Sequence, residues 1–122
     1  MPNSNRQRGD YLERQTRDAL RACGWIVVRA AGSQGVADLV ALRHDMRPLL
    51  VSCKLGPGIP PAERRELVEA SATAGARPIM ATRTKRGWVN IHVVKLDTTY
   101  PLVDQIPVPR RPGKKAVENG TE

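Results

Sequence analysis

The spacing of apolar residues changes along the chain, and each change marks an element. Leu12, Ala19, Leu20 and Cys23 fall near helical spacing, and Gly24 supplies a stop, which predicts a first helix over about residues 10–23. Residues 1–7 are polar and read as an arm. "WIVVRA" (25–30) is β-branched and predicts a strand, "AGSQG" (31–35) a loop, and "VADLVALR" (36–43) a second strand. "HDMRP" reads as a turn, and "LLVSCK" (49–54) as a third strand. "LGPGIPP" (55–61) is too rich in Gly and Pro to be anything but a loop. A second helix follows over 61–76, with Pro61 in its first turn and Gly75 near its end. "RPIMATR" (77–83) and "WVNIHVV" (88–94) are two further strands joined by "TKRG".

The expected order is α-β-β-β-α-β-β. Three short-linked strands suggest an antiparallel meander, and a helical crossover permits one parallel pairing. The fold class is therefore α/β, with a mixed central sheet flanked by helices. The pattern fades after Lys95. Residues 1–95 are expected to form the domain, and 96–122 a Pro-rich basic tail with a short ordered stretch near Val103–Val108.

Composition narrows the class. The chain has 122 residues, 40% of them hydrophobic, which suits one modest domain, and the absence of Phe leaves a core of Val, Leu, Ile and Ala. Twenty Lys and Arg against twelve Asp and Glu give a net charge of +8, which points to a polyanion, with nucleic acid first and an acidic membrane surface second. No stretch approaches the roughly 20 apolar residues of a membrane span. The first ten residues lack the apolar core of a secretory signal, so the expected location is cytoplasmic. Cys23 and Cys53 have no metal-pair spacing and are expected to be reduced, buried thiols.

Four features bear on chemistry. Asp38 interrupts an apolar strand, where an unpaired charge is costly; a solvent-facing Asp is the plain alternative. Lys54 ends the third strand on the same face as Ser52, opposite Val51 and Cys53. Pairing of strands two and three would bring Asp38 near Lys54, either as a metal-and-water site or as a simple salt bridge. Glu13 lies on the border between the apolar side of the first helix and its Arg14, Arg17 and Arg21 stripe. It could reach the sheet, or pair with Arg17 at i,i+4. In "RAAGSQGVAD" two glycines allow close approach of a ligand, Ser33 offers a hydroxyl, and Arg29 precedes them.

Taken together, "RGDYLERQTRDALRACGWIVVRAAGSQGVADLVAL…LLVSCK" resembles the archaeal-type Holliday junction resolvases of the PD-(D/E)xK nuclease superfamily, over about residues 8–94. The resemblance implies a restriction-endonuclease-like fold and an Mg2+-dependent endodeoxyribonuclease that cuts four-way junctions, with Mn2+ able to substitute. It implies metal binding by Glu13, Asp38 and the Cys53 carbonyl, a water-orienting Lys54, a DNA-contacting Ser33, and a homodimer. Ser52 departs from the pattern, standing where the superfamily has a carboxylate or Gln. Ser52 itself, Glu66 or Glu69 from the second helix, or an impaired site that only binds DNA are the alternatives that follow. For Glu66 and Glu69, a solvated helix face is the plain alternative. Arg8, Arg14, Arg17, Arg29, Ser33, Arg83, Lys85 and Arg86 are the expected DNA contacts, with Arg110, Arg111, Lys114 and Lys115 a further basic cluster. No base-reading helix or aromatic series is evident, so recognition by DNA shape is expected. A same-fold nuclease acting on flaps, nicks or plain duplex is the nearest enzymatic alternative.

Overall fold

The structure, a computed structural model, describes residues 4–30, 36–83 and 87–109, and of residues 4–8 the backbone alone. Its elements are α1 (Ser4–Ala22), β1 (Ile26–Arg29), β2 (Leu39–Arg43), β3 (Met46–Cys53), α2 (Pro61–Ala74), β4 (Arg77–Thr82), β5 (Trp88–Val93) and β6 (Leu102–Pro107). The six strands form one sheet in chain order. Every neighbouring pair is antiparallel except β3 and β4, which α2 connects as a parallel crossover.

Each helix covers one face. Under α1, Ala19 and Leu20 pack with Val27, Leu39, Ala41, Val51, Ile79, Ala81, Val89 and Ile91. Under α2, Leu67 packs with Ala37, Ile59, Met80 and Val94, and Leu50, Val68 and Tyr100 lie against them. The period-two alternation of β3 therefore assigns Leu49, Val51 and Cys53 to the α1 side and Leu50 to the α2 side. Both helices end as their glycines predict. Gly24 and Gly75 take left-handed φ values of 97° and 68°. In each case the following residue donates five residues back: Trp25 N to Leu20 O at 3.1 Å, and Ala76 N to Ser71 O at 2.8 Å.

Several boundaries differ from the sequence expectation. The first helix starts at Ser4 rather than near residue 10, because an all-polar opening turn carries no apolar period to announce it. The turn before β3 is only His44–Asp45, since Arg43 pairs with Met46. Pro48 fits inside β3 because pairing with β4 begins only at Leu49, so no ladder bond is lost to β4 there. Asp38 precedes β2 and Lys54 follows β3, although their backbones still pair: Asp38 N donates to Val51 O at 2.8 Å, and Lys54 N to Ala81 O at 3.0 Å. Cys23 is exposed and Cys53 half-buried, so the two thiols are not alike.

Beyond residue 95 the sheet continues into β6, which includes most of the short ordered stretch expected near 103–108. Only Ile106 of that strand is buried, opposite Val89, which is why its apolar pattern is faint. Among the described residues no helix is long and apolar enough to cross a membrane.

Candidate active site

The site lies where β2 has not yet begun and β3 is ending. The Asp38 carboxylate meets the end of β3 directly, its Oδ2 accepting from Cys53 N–H at 2.8 Å. A side chain thus takes the place a backbone carbonyl would hold in a regular ladder. This satisfies a partly buried donor and fixes the carboxylate.

Glu13 approaches from α1. Its Oε1 accepts from Arg29 Nε of β1 at 3.1 Å, and Arg29 Nη2 reaches Asp10 Oδ1 at 3.4 Å. The i,i+4 partner considered for Glu13 is engaged elsewhere, since Arg17 bonds Asp18 at 3.0 Å. Burial raises the Glu13 carboxyl above its ordinary range, and the Asp38 charge raises it further; Arg29 opposes both. A raised Glu13 carboxyl beside the Asp38 charge, in a half-buried setting, makes a place where a cation lowers the free energy. The Cys53 thiol is pushed strongly up by burial and then by Asp38, while the Thr16 hydroxyl pulls the other way. It is a neutral packing group, consistent with any ligand role falling to its carbonyl.

Lys54 turns to the other face. Its Nζ donates to Glu63 Oε1 of α2 at 2.8 Å, and no ion pair joins it to Asp38. Ser52 is buried and, by alternation with Val51 and Cys53, lies on the α2 side of β3. Glu66 and Glu69 are exposed further along α2, and neither bonds to Lys54. Glu63 was not singled out in the sequence. The available signal was loop length: with buried Ile59 pinning the chain just before Pro61, the first turn of α2 is the part nearest the strand end.

The start of α2 is held in place from the far end of the chain. Tyr100 Oη accepts from Ile59 N at 3.1 Å and from Arg64 Nε at 3.3 Å, and Arg64 Nη2 donates to Ile59 O at 3.3 Å. Burial raises the phenol, but the Ile59 and Arg64 bonds outweigh it and the net displacement is downward. A Cβ on Gly58 would lie 3.0 Å from the Tyr100 hydroxyl, so a side chain there would require the ring to shift.

The basic residues divide. Arg29 is exposed beside Glu13. Arg83 reaches Gln15 Oε1 at 3.4 Å and stacks over the Tyr11 ring at 5.7 Å. Arg14 is exposed on α1, whereas Arg21 is tied to Val27 O at 3.2 Å. Ser33, Lys85, Arg86, Arg110, Arg111, Lys114, Lys115 and the Arg8 side chain lie outside the described residues.

Among the described residues, no three His, Cys, Asp or Glu side chains converge as a metal cage. Magnesium does not require one. It commonly keeps several waters and takes one or two carboxylates, which is what Glu13 and Asp38 offer.

A family model described as archaeal Holliday junction resolvase (hjc) matches residues 4–107. Among solved structures, the chain is similar to the Archaeoglobus fulgidus Hjc, a Holliday junction resolvase from an archaeal hyperthermophile. The TM-score is 0.62 at 19% identity, covering 79% of this chain and 88% of that one, a likeness of fold. No curated protein matches the sequence.

Proposed function

Because the chain belongs to the archaeal Holliday junction resolvase family, we propose that it is a divalent-metal-dependent endonuclease that cuts four-way DNA junctions. The observation that carries this reading is the Asp38 carboxylate bonded to the end of β3, with Glu13 of α1 near enough to feel its charge, inside the span that the family model matches. Glu13, Asp38 and the Cys53 carbonyl would hold Mg2+, or Mn2+ in its place. The bound ion would polarise the phosphate and supply a nucleophilic water.

The chain's own residues do the rest. Asp38 is oriented by Cys53 N–H, and Arg29 steadies Glu13 while remaining exposed enough to meet a phosphate. Lys54, next in the chain to Cys53, would supply a cation at the end of β3. Arg14, Arg29 and Arg83, with Ser33 and the loop residues Lys85 and Arg86, would follow the DNA backbone, so affinity should fall steeply with salt. A homodimer is part of the same proposal, since two related sites would be needed to nick two strands of a junction symmetrically.

The experiment is incubation of a labelled four-way junction and a matched duplex with Mg2+, Mn2+ or EDTA. Paired symmetric nicks in the junction alone are the expected result. Cleavage that survives both Asp38→Ala and Lys54→Ala would overturn the site. The neutral Ser52 is the observation that favours a second reading, a DNA-binding module without full metal affinity. Binding without cleavage, unchanged by Lys54→Ala, would decide for that reading.

A further inference from the structure

Ser52 leaves the end of β3 with a lysine but no carboxylate of its own on that strand. The fold brings one from another element: Glu63, in the first turn of α2, accepts from Lys54 Nζ at 2.8 Å. We propose that Glu63 is a positioning residue of the nuclease site, the acidic partner that holds Lys54 in place where this chain has a neutral residue at position 52. The inference rests on the nuclease reading above.

Three features support it. Ser52 is only 7% exposed on the side of the sheet that α2 covers, so the position is closed as well as uncharged. The turn that carries Glu63 is fixed by Pro60 and Pro61 before it and by the Tyr100–Ile59–Arg64 hydrogen bonds beside it. The helix N-terminus also favours a negative charge there, and Glu63 is the acidic residue of that first turn.

The Glu63 side chain is 54% exposed, and ion pairs so accessible to water contribute little to folding. The pair does limit where the ammonium can go. An unpaired lysine on a four-carbon stem samples many rotamers, and catalysis by a positioned group depends on holding it near one geometry. Glu63 thereby neutralises Lys54 without drawing on Glu13 or Asp38. Glu66 and Glu69 are not paired with Lys54.

The test is single-turnover junction cleavage by the full chain as wild type, Glu63→Ala, Glu63→Asp, Lys54→Ala and the Glu63→Ala/Lys54→Ala double variant. Junction affinity is measured in EDTA, and Mn2+ affinity without DNA. Glu63→Ala is expected to slow cleavage on the order of tenfold to a hundredfold. Junction and Mn2+ affinities should stay within about twofold of wild type. Glu63→Asp should recover part of the rate, and Glu63→Ala should add nothing once Lys54 is gone.

Full activity in Glu63→Ala would overturn the proposal. So would an equal loss in the Lys54→Ala background, which would mark a structural role, or a large loss of Mn2+ affinity, which would make Glu63 a metal ligand instead. Should Lys54→Ala cut too slowly to measure, the aspartate variant decides: folded protein with no recovery counts against it. A wild-type chain that cuts no DNA removes the nuclease reading and this inference together. A wild type that cuts beside an equally active Glu63→Ala removes the inference alone.

Discussion

On the α1 side of the sheet, burial and then the neighbouring Asp38 charge raise the Glu13 carboxyl. On the α2 side, Lys54 and Glu63 cancel one another near the surface. On the α1 side Arg29 pairs with Glu13, and Cys53 N–H holds Asp38. The α2 side is balanced and braced by hydrogen bonds from Tyr100. The difference teaches what the proposal requires: the carboxylates proposed for the metal lie toward one face of the sheet, and the lysine proposed to act with them is paired toward the other.

The comparison breaks most completely at Asp38. Asp38→Ala should abolish metal-dependent junction cleavage and also destabilise the fold by about 1–3 kcal/mol, because Cys53 N–H loses its acceptor. Asp38→Asn keeps an acceptor oxygen, so it should lose the cleavage and retain most of the stability. Nicking assays and chemical denaturation of the two variants separate the roles.

Lys54→Ala should come next, slowing cleavage on the order of 10²–10⁴-fold. Its effect on Mn2+ affinity should be slight, as measured by titration without DNA, because the cation side keeps both carboxylates.

The pH dependence of stability sharpens the α1 side. The folded-state value of Glu13 is raised, so its contribution is fully present below the unfolded value and is lost as pH rises through the folded one. The stability of Glu13→Gln relative to wild type should therefore improve progressively as pH rises from 4 through that window. Added Mg2+ should narrow the gap by stabilising the wild type. Urea denaturation across pH, with and without Mg2+, checks both statements.

Tyr100→Phe tests the brace. It removes the phenolic oxygen that bonds Ile59 and Arg64, and should cost about 1 kcal/mol in denaturation while leaving Mn2+ affinity unchanged. The smallest effects belong to Glu66→Ala and Glu69→Ala. Exposed and unpaired with Lys54, they should each stay within about ±0.5 kcal/mol in stability and leave the cleavage rate in place.

Much of the architecture could be read from local pattern. The strand-rich runs, Gly24, Pro61 and Gly75 each act over a few residues, and the crossover through α2 follows from the order of elements. Glu13 and Asp38 were legible because each breaks its local pattern: one sits on the border of an amphipathic helix, the other inside an apolar run. Glu63 breaks no pattern. It is an ordinary first-turn acid, and the role proposed for it arises from a loop that brings it to Lys54, nine residues away. Tyr100 was less legible still, since its partner Ile59 is 41 residues distant. Strand β6 was legible only as a short ordered stretch and not as part of the sheet because it buries a single side chain, and the exposure of Cys23 was missed because the helix ends just before it, where helical spacing no longer sets its surroundings.

That exposure has a practical side. Cys23 and Cys53 are the only cysteines in the chain, and they differ in reach as well as in position. Cys53 is held as a thiol by burial and a neighbouring carboxylate, so it is a poor nucleophile. A maleimide dye or nitroxide offered to the native protein should therefore attach at Cys23 alone. The protein carries its own labelling point about 15 Å along α1 from Glu13, close enough for a spin label to sense a paramagnetic ion and far enough to leave the site undisturbed.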